Sequence, residues 1–123
     1  MRQILWLLIG VLLVGTSVGQ AAELEIITPP LLVRSTSCMV TNVSTSPVDI
    51  RIEVMNQRGE VQMDASNPEG LPPLWTSAVS GTIGVGTLRI CRVTSDEGKK
   101  GDLRVTLCAL AEDGTCVAAV TAE

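Results

Sequence analysis

Hydrophobic and polar side chains alternate most regularly between Val48 and Met55. The apolar side chains recur at every second position of this segment, namely at Val48, Ile50, Ile52 and Val54. A period of two places these side chains on one face of a β-strand, whereas the same spacing would scatter them around a helix. The segment therefore predicts a strand with one buried face and one face in water.

Shorter extended runs lie on both sides of this strand, separated by turn signals. Residues 98–101 (GKKG) and Asp113-Gly114 mark two hairpin turns within residues 87–120, and residues 56–59 mark another turn. Residues 64–74, with three prolines and a glycine, are predicted to be a loop. About seven strands and no helix remain, which predicts an all-β, antiparallel, immunoglobulin-like β-sandwich.

The first 22 residues follow a different hydropathy pattern. Arg2 precedes an apolar stretch over residues 4–15, and small or polar residues follow it. This order is typical of a secretory signal peptide, with cleavage after Ala21 or Ala22. A membrane anchor is the alternative, but a spanning helix needs about 20 apolar residues. The prediction is a signal peptide over residues 1–22, a single domain over residues 23–123, and a secreted or periplasmic protein.

The amino-acid composition restricts the binding partners of the protein, its cysteine chemistry and the make-up of its core. Loss of Arg2 with the leader leaves eight basic and 13 acidic side chains, a net charge of −5, which disfavours nucleic acid and anionic membranes as partners. The four cysteines of an exported chain predict two disulfides. The sequence has no Phe and no Tyr, and Trp75 is the only Trp after the leader, so the core must be aliphatic.

Several segments of the chain together resemble a group of known proteins. These are the leader and the stretches CMVTNVSTSPVDIRIEVMNQRGE, LRICRVT, GKKGDLRVTLCAL and EDGTCVAAV. They resemble small exported bacterial immunoglobulin-like β-sandwich proteins of unassigned function, over most of the chain that follows the leader. The resemblance implies export and an immunoglobulin-like topology, and it implies no catalytic residue.

The cysteines can pair in three ways. We expect Cys38–Cys91 and Cys108–Cys116. If the Asp113-Gly114 turn is a three-residue loop, Cys116 faces Leu110 and lies diagonally from Cys108, so closure requires a small register shift. The rival pairing is Cys91–Cys108 with Cys38–Cys116, and it applies if residues 98–101 form a hairpin that sets Cys91 opposite Cys108.

The absence of histidine excludes several sites. Cupredoxin-type copper sites, histidine-containing zinc sites, Ser-His-Asp triads and Cys-His dyads all need an imidazole. The cysteine spacing fits neither a four-thiolate zinc site nor a redox C-x-x-C. We therefore predict no metal, no cofactor and no enzymatic activity.

The polar clusters outside the cysteines fit ordinary structural roles. The acidic pairs Asp96/Glu97 and Glu112/Asp113 are read as exposed turn residues rather than as an acid–base pair. The D-A-S-N-P-E-G spacing of Asp64, Asn67 and Glu69 does not match a calcium loop. The remaining candidates are read as a strand bend at Gly84 and Gly86, a turn tip at Lys99-Lys100, and a glycosylation sequon at Asn42-Val43-Ser44 that matters only in a eukaryotic secretory pathway.

Trp75 is the candidate contact residue. Burial over an open end of the core is the favoured interpretation, and exposure as an anchor for a partner is the alternative. The function expected is an exported non-enzymatic module, structural or mediating contacts with another envelope or extracellular protein. The alternative is a secreted small-ligand-binding protein that uses the Trp75 region.

Overall fold

The computed structural model describes residues 23–122, so the predicted signal peptide and its cleavage site lie outside the described residues. Seven strands follow one another: β1 (Leu24–Ile27), β2 (Leu31–Asn42), β3 (Val48–Met55), β4 (Val61–Leu71), β5 (Thr76–Ser95), β6 (Leu103–Leu110) and β7 (Cys116–Ala122). All pairs are antiparallel and belong to one hydrogen-bonded sheet. This confirms the predicted all-β class and strand number. Residues 23–122 contain no helix that could span a membrane.

Strand β5 organises the sheet because it bends near its middle. Cys38 on β2 lies opposite Val79 of β5, and it is also bonded to Cys91, with a Cα–Cα distance of 6.3 Å. On a straight strand Val79 and Cys91 would lie about 40 Å apart. β5 must therefore fold back. It does so at residues 83–86, which its ladder with β2 skips and which include Gly84 at φ +95°.

The bend divides the sheet into two parts that share one core. The C-terminal part of β5 pairs with β1 and β3, and β4 adds to β3. The N-terminal part pairs with residues 35–41 of β2, to which β6 and then β7 add, and residues 31–33 of β2 pair with residues 87–89 just after the bend. The core draws on both parts and is aliphatic apart from the two cysteines, as predicted: Ile26, Cys38, Val40, Val48, Ile50, Ile52, Val54, Leu71, Cys91, Val93, Leu103, Val105 and Leu107.

This geometry gives the molecule two ends, the bend end and the tip end. The bend end contains residues 83–86, the β3–β4 turn and the β6–β7 turn. The tip end contains the β2–β3, β4–β5 and β5–β6 connections. Eight residues of extended β2 separate Arg34 at the bend end from Asn42 at the tip end, so the two ends are about 26 Å apart.

Strand β3 has the buried face that its alternation predicts. Its four alternating aliphatic side chains are all at most 4% exposed. The opposite face is less wet than expected, because Glu53 is only 7% exposed. Its Oε1 accepts hydrogen bonds from Nε and Nη2 of Arg92 on β5, at 3.0 and 2.7 Å. The charge of Glu53 is thus paired across the strands, as burial of a carboxylate requires.

The predicted loop over residues 64–74 is wrong for its first part. β4 continues to Leu71, and Asp64–Asn67 pair residue by residue with Glu53–Ile50 of β3. Pro68 is tolerated because β4 is an edge strand and its register with β3 shifts between Val48 and Ile50, next to the proline. Pairing with a strongly hydrophobic neighbour outweighed the loop composition.

The predicted hairpin at residues 98–101 is also wrong. β6 pairs with β2 and β7, and no ladder joins it to β5. The connection crosses from one part of the sheet to the other, so Cys91 is never set opposite Cys108. The condition for the rival cysteine pairing is therefore not met.

Both disulfides join the expected residues, Cys38 to Cys91 and Cys108 to Cys116. The second bond closes the β6–β7 hairpin, in which Leu110 faces Cys116 as predicted. A register shift between Ala109 and Leu110 brings the diagonal cysteines to a Cα–Cα distance of 5.5 Å. Gly114, at φ +87°, turns this hairpin.

Unequal exposure of the two bonds predicts stepwise reduction. Cys38 and Cys91 are both 0% exposed, whereas Cys116 is exposed to solvent. Because exchange requires a thiolate to reach a sulfur, we expect a mild reductant to open Cys108–Cys116 first in the folded protein. Alkylation followed by peptide mass mapping should show label on Cys108 and Cys116 alone. Simultaneous labelling of all four would contradict this order.

Candidate functional site

Two large apolar side chains stand exposed next to each other at the tip end. Trp75 is 64% exposed and Leu74 is 79% exposed. Val43, which follows the last residue of β2, is 38% exposed beside them. The favoured interpretation, in which Trp75 covers the open end of the core, is therefore wrong. Its side chain stands in water, which is the exposure that the alternative requires.

A tight turn presents these two side chains. The Trp75 N–H donates to the carbonyl oxygen of Pro72 at 3.1 Å, and Leu74 has φ +67°. Proline holds φ of Pro73 near −65°, so the turn is type II, with Leu74 at the position that favours glycine or asparagine. A non-glycine residue there costs about 1–2 kcal/mol. Leu74 is the only described non-glycine residue with positive φ.

The strained turn is held by the backbone of Asn42. The Leu74 N–H donates to the Asn42 carbonyl oxygen at 2.7 Å, and the Asn42 N–H donates to the Trp75 carbonyl oxygen at 3.1 Å. Two bonds in opposite directions clamp the turn onto the end of β2. Backbone strain persists only where the surroundings enforce it, and this clamp is the enforcing contact.

The Asn42 side chain ties the clamp to the rest of the tip end. It is 0% exposed, and its Nδ2 donates to the carbonyl oxygens of Ser46 at 2.9 Å and Leu71 at 2.7 Å. Its Oδ1 accepts from the backbone N–H of Ser44 at 2.8 Å and from its hydroxyl at 2.7 Å. A single buried amide therefore joins the β2–β3 connection to the end of β4.

The position of the Asn42 side chain also determines whether the sequon can be glycosylated. Glycosylation needs a free Nδ2, and here that nitrogen is buried and donates two hydrogen bonds. The folded domain cannot carry a glycan at Asn42. Sequence reasoning singled out the right residue for the wrong role, and the buried network was the role it missed. Asn42 ends an apolar strand just before the turn residues Ser44–Pro47, and that position was the available signal for a turn-organising amide.

The two acidic pairs are not brought together. Asp96/Glu97 lie at the tip end and Glu112/Asp113 at the bend end, separated by the length of β6. The backbone N–H groups of Asp96 and Glu97 donate to Asp49, at 2.8 and 3.1 Å. Asp113 Oδ1 accepts from the backbone and hydroxyl of Thr115, at 3.0 and 2.7 Å. Both pairs thus belong to turns, as predicted.

Asp49 is the acidic group most involved in these contacts. Burial acts to raise its pKa, but hydrogen bonds from the Asp96 N–H, the Ser95 hydroxyl and the Glu97 N–H together outweigh it and lower the pKa. Asp49 lines a shallow cleft of about 200 Å³ with Glu69, Asp96 and Glu97. A carboxyl with a lowered pKa stays ionised at neutral pH and does not serve as a general acid.

The calcium alternative has no geometric basis. Asp64 pairs with Arg51, with 3.0 Å between Oδ2 and Nη2, and Asn67 lies three residues further along β4. Side chains three apart on a strand point to opposite faces, so these two cannot share an ion. Among residues 23–122 no group of three or more Cys, Asp or Glu side chains is placed to hold a metal.

The remaining candidates also occupy structural positions. Gly84 and Gly86 lie in the bend of β5, as the sequence predicted. Lys99 and Lys100 are exposed in the β5–β6 connection, where the Lys99 N–H donates to Asp102 Oδ2 at 2.8 Å. The site that remains is the contact tip, defined as Leu74, Trp75 and Val43 held by Asn42. No family model, curated protein or solved structure matches this chain.

Proposed function

We propose that this chain is an exported, non-enzymatic, immunoglobulin-like β-sandwich module that mediates protein contacts in the cell envelope or outside the cell. One observation carries the proposal, namely that a strained and doubly clamped turn displays Leu74 and Trp75 to solvent. Export is supported by the leader pattern and by two disulfides, which persist in oxidising compartments.

The immunoglobulin-like description rests on the central disulfide. Cys38–Cys91 joins the two parts of the sheet through a shared core, as the inter-sheet bond of antibody domains does. In antibody domains a buried Trp packs against that bond, whereas here the bond is surrounded by aliphatic residues and Trp75 stands at the surface. The Trp is therefore free for another purpose.

A protruding side chain favours a macromolecular partner. Trp is enriched among the interface residues that carry most binding energy, and such residues insert into a pocket of the partner. Small-molecule sites are concave and surround the ligand. At 64% exposure, Trp75 has the geometry of the inserted element rather than of the pocket.

The test uses substitutions at the tip and a control of equal exposure. If Trp75 is the anchor, Trp75→Ala should weaken capture of the partner from the native envelope fraction by about thirtyfold, equivalent to about 2 kcal/mol. The melting temperature should not change, because the side chain leaves the core untouched. Val85, also 64% exposed but at the bend end, supplies the control Val85→Ala, which should capture normally.

A third variant separates contact from turn strain. Leu74→Asn suits the positive φ, so it should keep or raise the melting temperature while weakening capture. Trp75 fluorescence of the mature chain should shift to the blue on binding. Equal capture by the wild type and Trp75→Ala would overturn the contact role. A fluorescence shift with a small-molecule extract alone would favour the ligand-binding alternative.

A further inference from the structure

A second site lies at the bend end, about 26 Å from the contact tip and independent of it. Two adjoining clefts of about 510 and 480 Å³ meet there between the β3–β4 turn and the part of β5 that follows the bend. Each has the size of a small-ligand site. Arg58, Leu88 and Arg89 line both of them, so we treat the two as one cleft and call it the arginine cleft.

Arg89 is a buried cation without an anionic partner. It is 9% exposed, and its one hydrogen bond runs from Nη1 to the carbonyl oxygen of its neighbour Leu88, at 3.0 Å. Its Nε is buried and has no hydrogen-bond partner. A guanidinium carries five N–H donors and cannot lose its charge in a protein. Such a group is normally found paired when it is buried.

A second buried polar atom without a hydrogen-bond partner also belongs to this cleft. Among the described residues, two buried side-chain polar atoms lack a hydrogen-bond partner, Arg89 Nε and Thr87 Oγ1. Thr87 lines the cleft as well. Unsatisfied buried polar atoms are rare in native proteins, and each calls for an explanation. Both atoms are closed to solvent, but Arg89 Nη2, which also has no hydrogen-bond partner among the described residues, is not, and it is the donor that acceptor atoms of a group bound in the cleft can reach.

The charges of the cleft select the sign of that group. Its two charged side chains are Arg58 and Arg89, and it includes no carboxylate, although acidic side chains outnumber basic ones in the chain. Neither arginine forms an ion pair within residues 23–122. Arg92, three residues along β5 from Arg89, is by contrast paired with Glu53 at 2.7 Å. The cleft is therefore prepared for an anion.

Asn56 and Gln57 add neutral polar groups to the lining, and its other large side chains are apolar. Leu32 is 63% exposed and Leu88 37% exposed, and Pro30 and Ile90 continue the same surface. A bare inorganic anion would leave these side chains in water. An anionic head with a hydrocarbon body would cover them and meet the arginines at the same time.

We propose that the arginine cleft binds a small amphiphilic carboxylate, with the carboxylate on the Arg89 guanidinium and its hydrocarbon body against Leu32 and Leu88. Arg58, on the exposed β3–β4 turn, adds a second and weaker attraction at the rim. Guanidinium–carboxylate contacts are charge-assisted and stronger than neutral hydrogen bonds. The ligand supplies the counter-charge and acceptor atoms that the fold itself omits.

The test titrates the secreted protein with octanoate and follows the Arg89 Nε–H signal by ¹⁵N–¹H NMR, with calorimetry for the affinity. Octanoate should bind saturably and shift this signal, whereas octylammonium should not bind. Arg89→Met should weaken octanoate binding at least tenfold, and Arg58→Gln should weaken it less. Arg34→Gln, an exposed arginine outside the cleft, is the matched control and should bind normally.

Stability distinguishes a binding role from a structural one. Without ligand, Arg89→Met should melt at the same temperature as the wild type or higher, since it removes an unpaired buried charge. If that variant fails to fold, Leu88→Glu decides, because a carboxylate at the half-exposed Leu88 should abolish octanoate binding by repulsion. Retained binding in either folded variant would overturn the proposal.

Two further arms identify the occupant. Inorganic phosphate should bind much more weakly than octanoate, and equal affinities would contradict the role of the apolar wall. A peptide with a free C-terminal carboxylate and apolar side chains should also bind more weakly. Tighter binding of the peptide than of octanoate would overturn the assignment to a small amphiphile and indicate a protein segment instead.

Discussion

Replacement of both Cys38 and Cys91 by alanine is expected to lower the free energy of unfolding by about 4 kcal/mol, because the bond closes a loop of 53 residues in the unfolded chain. The same change at Cys108 and Cys116, separated by 8 residues, is the matched control and should cost about 2.5 kcal/mol. The total free energy of unfolding of a domain of this size is roughly 5–15 kcal/mol, so the loss expected for Cys38 and Cys91 is a large share of it.

Burial adds to this difference. Cys38 and Cys91 are 0% exposed within the core, and alanine there removes sulfur atoms that fill it, whereas Cys116 is at the surface. Urea unfolding followed by far-ultraviolet circular dichroism measures both losses under non-reducing conditions. Equal losses, or a larger loss for the hairpin bond, would show that the long loop is already constrained in the unfolded state.

Asn42→Ala is expected to cost about 2–4 kcal/mol. The change leaves the carbonyl oxygens of Ser46 and Leu71 and the backbone N–H of Ser44 without the side-chain partners that the amide provided. Each buried group left unsatisfied costs about 1–3 kcal/mol, although groups near the surface regain water. The measurement is again urea unfolding, with Trp75 fluorescence reporting the tip in the mature chain.

Asn67 provides the matched control for this prediction. It is half-buried on β4, and its side chain makes no hydrogen bond among the described residues. Asn67→Ala should therefore change stability by less than about 0.5 kcal/mol. Asn42→Asp should behave like Asn42→Ala, since a carboxylate cannot donate to the two carbonyl oxygens. Full stability of Asn42→Asp would contradict the donor role of Nδ2.

Local signals in the sequence determined several features of the fold. The alternation over Val48–Met55 identifies β3 and its buried face because side chains on a strand alternate with a period set by the backbone itself. Asp113-Gly114 identifies the β6–β7 hairpin because a positive φ at Gly114 is a local requirement. The sequence has no Phe and no Tyr, and Trp75 is the only Trp after residue 22, so an aliphatic core was unavoidable.

Non-local pairing decided what these signals could not. Residues 64–67 have a loop-like composition but form part of β4, since β3 offers hydrogen-bond partners along one edge of the strand. The turn at residues 98–101 resembles that of a hairpin, yet β2 lies between β5 and β6. Which strands become neighbours depends on how the whole core is enclosed, and a local turn motif does not determine this.

The two candidate sites depend on tertiary structure for the same reason. The sequence marks Trp75 as unusual but not whether it is covered, and exposure is decided by the clamp between Asn42 and the Leu74 turn. Arg89 carries no sequence signal at all, because an arginine on a strand is ordinarily exposed. Its burial follows from the bend of β5 and from the β3–β4 turn beside it. Composition and periodicity determined the class of fold, whereas only the packing of distant segments decided which polar and aromatic groups were left without partners.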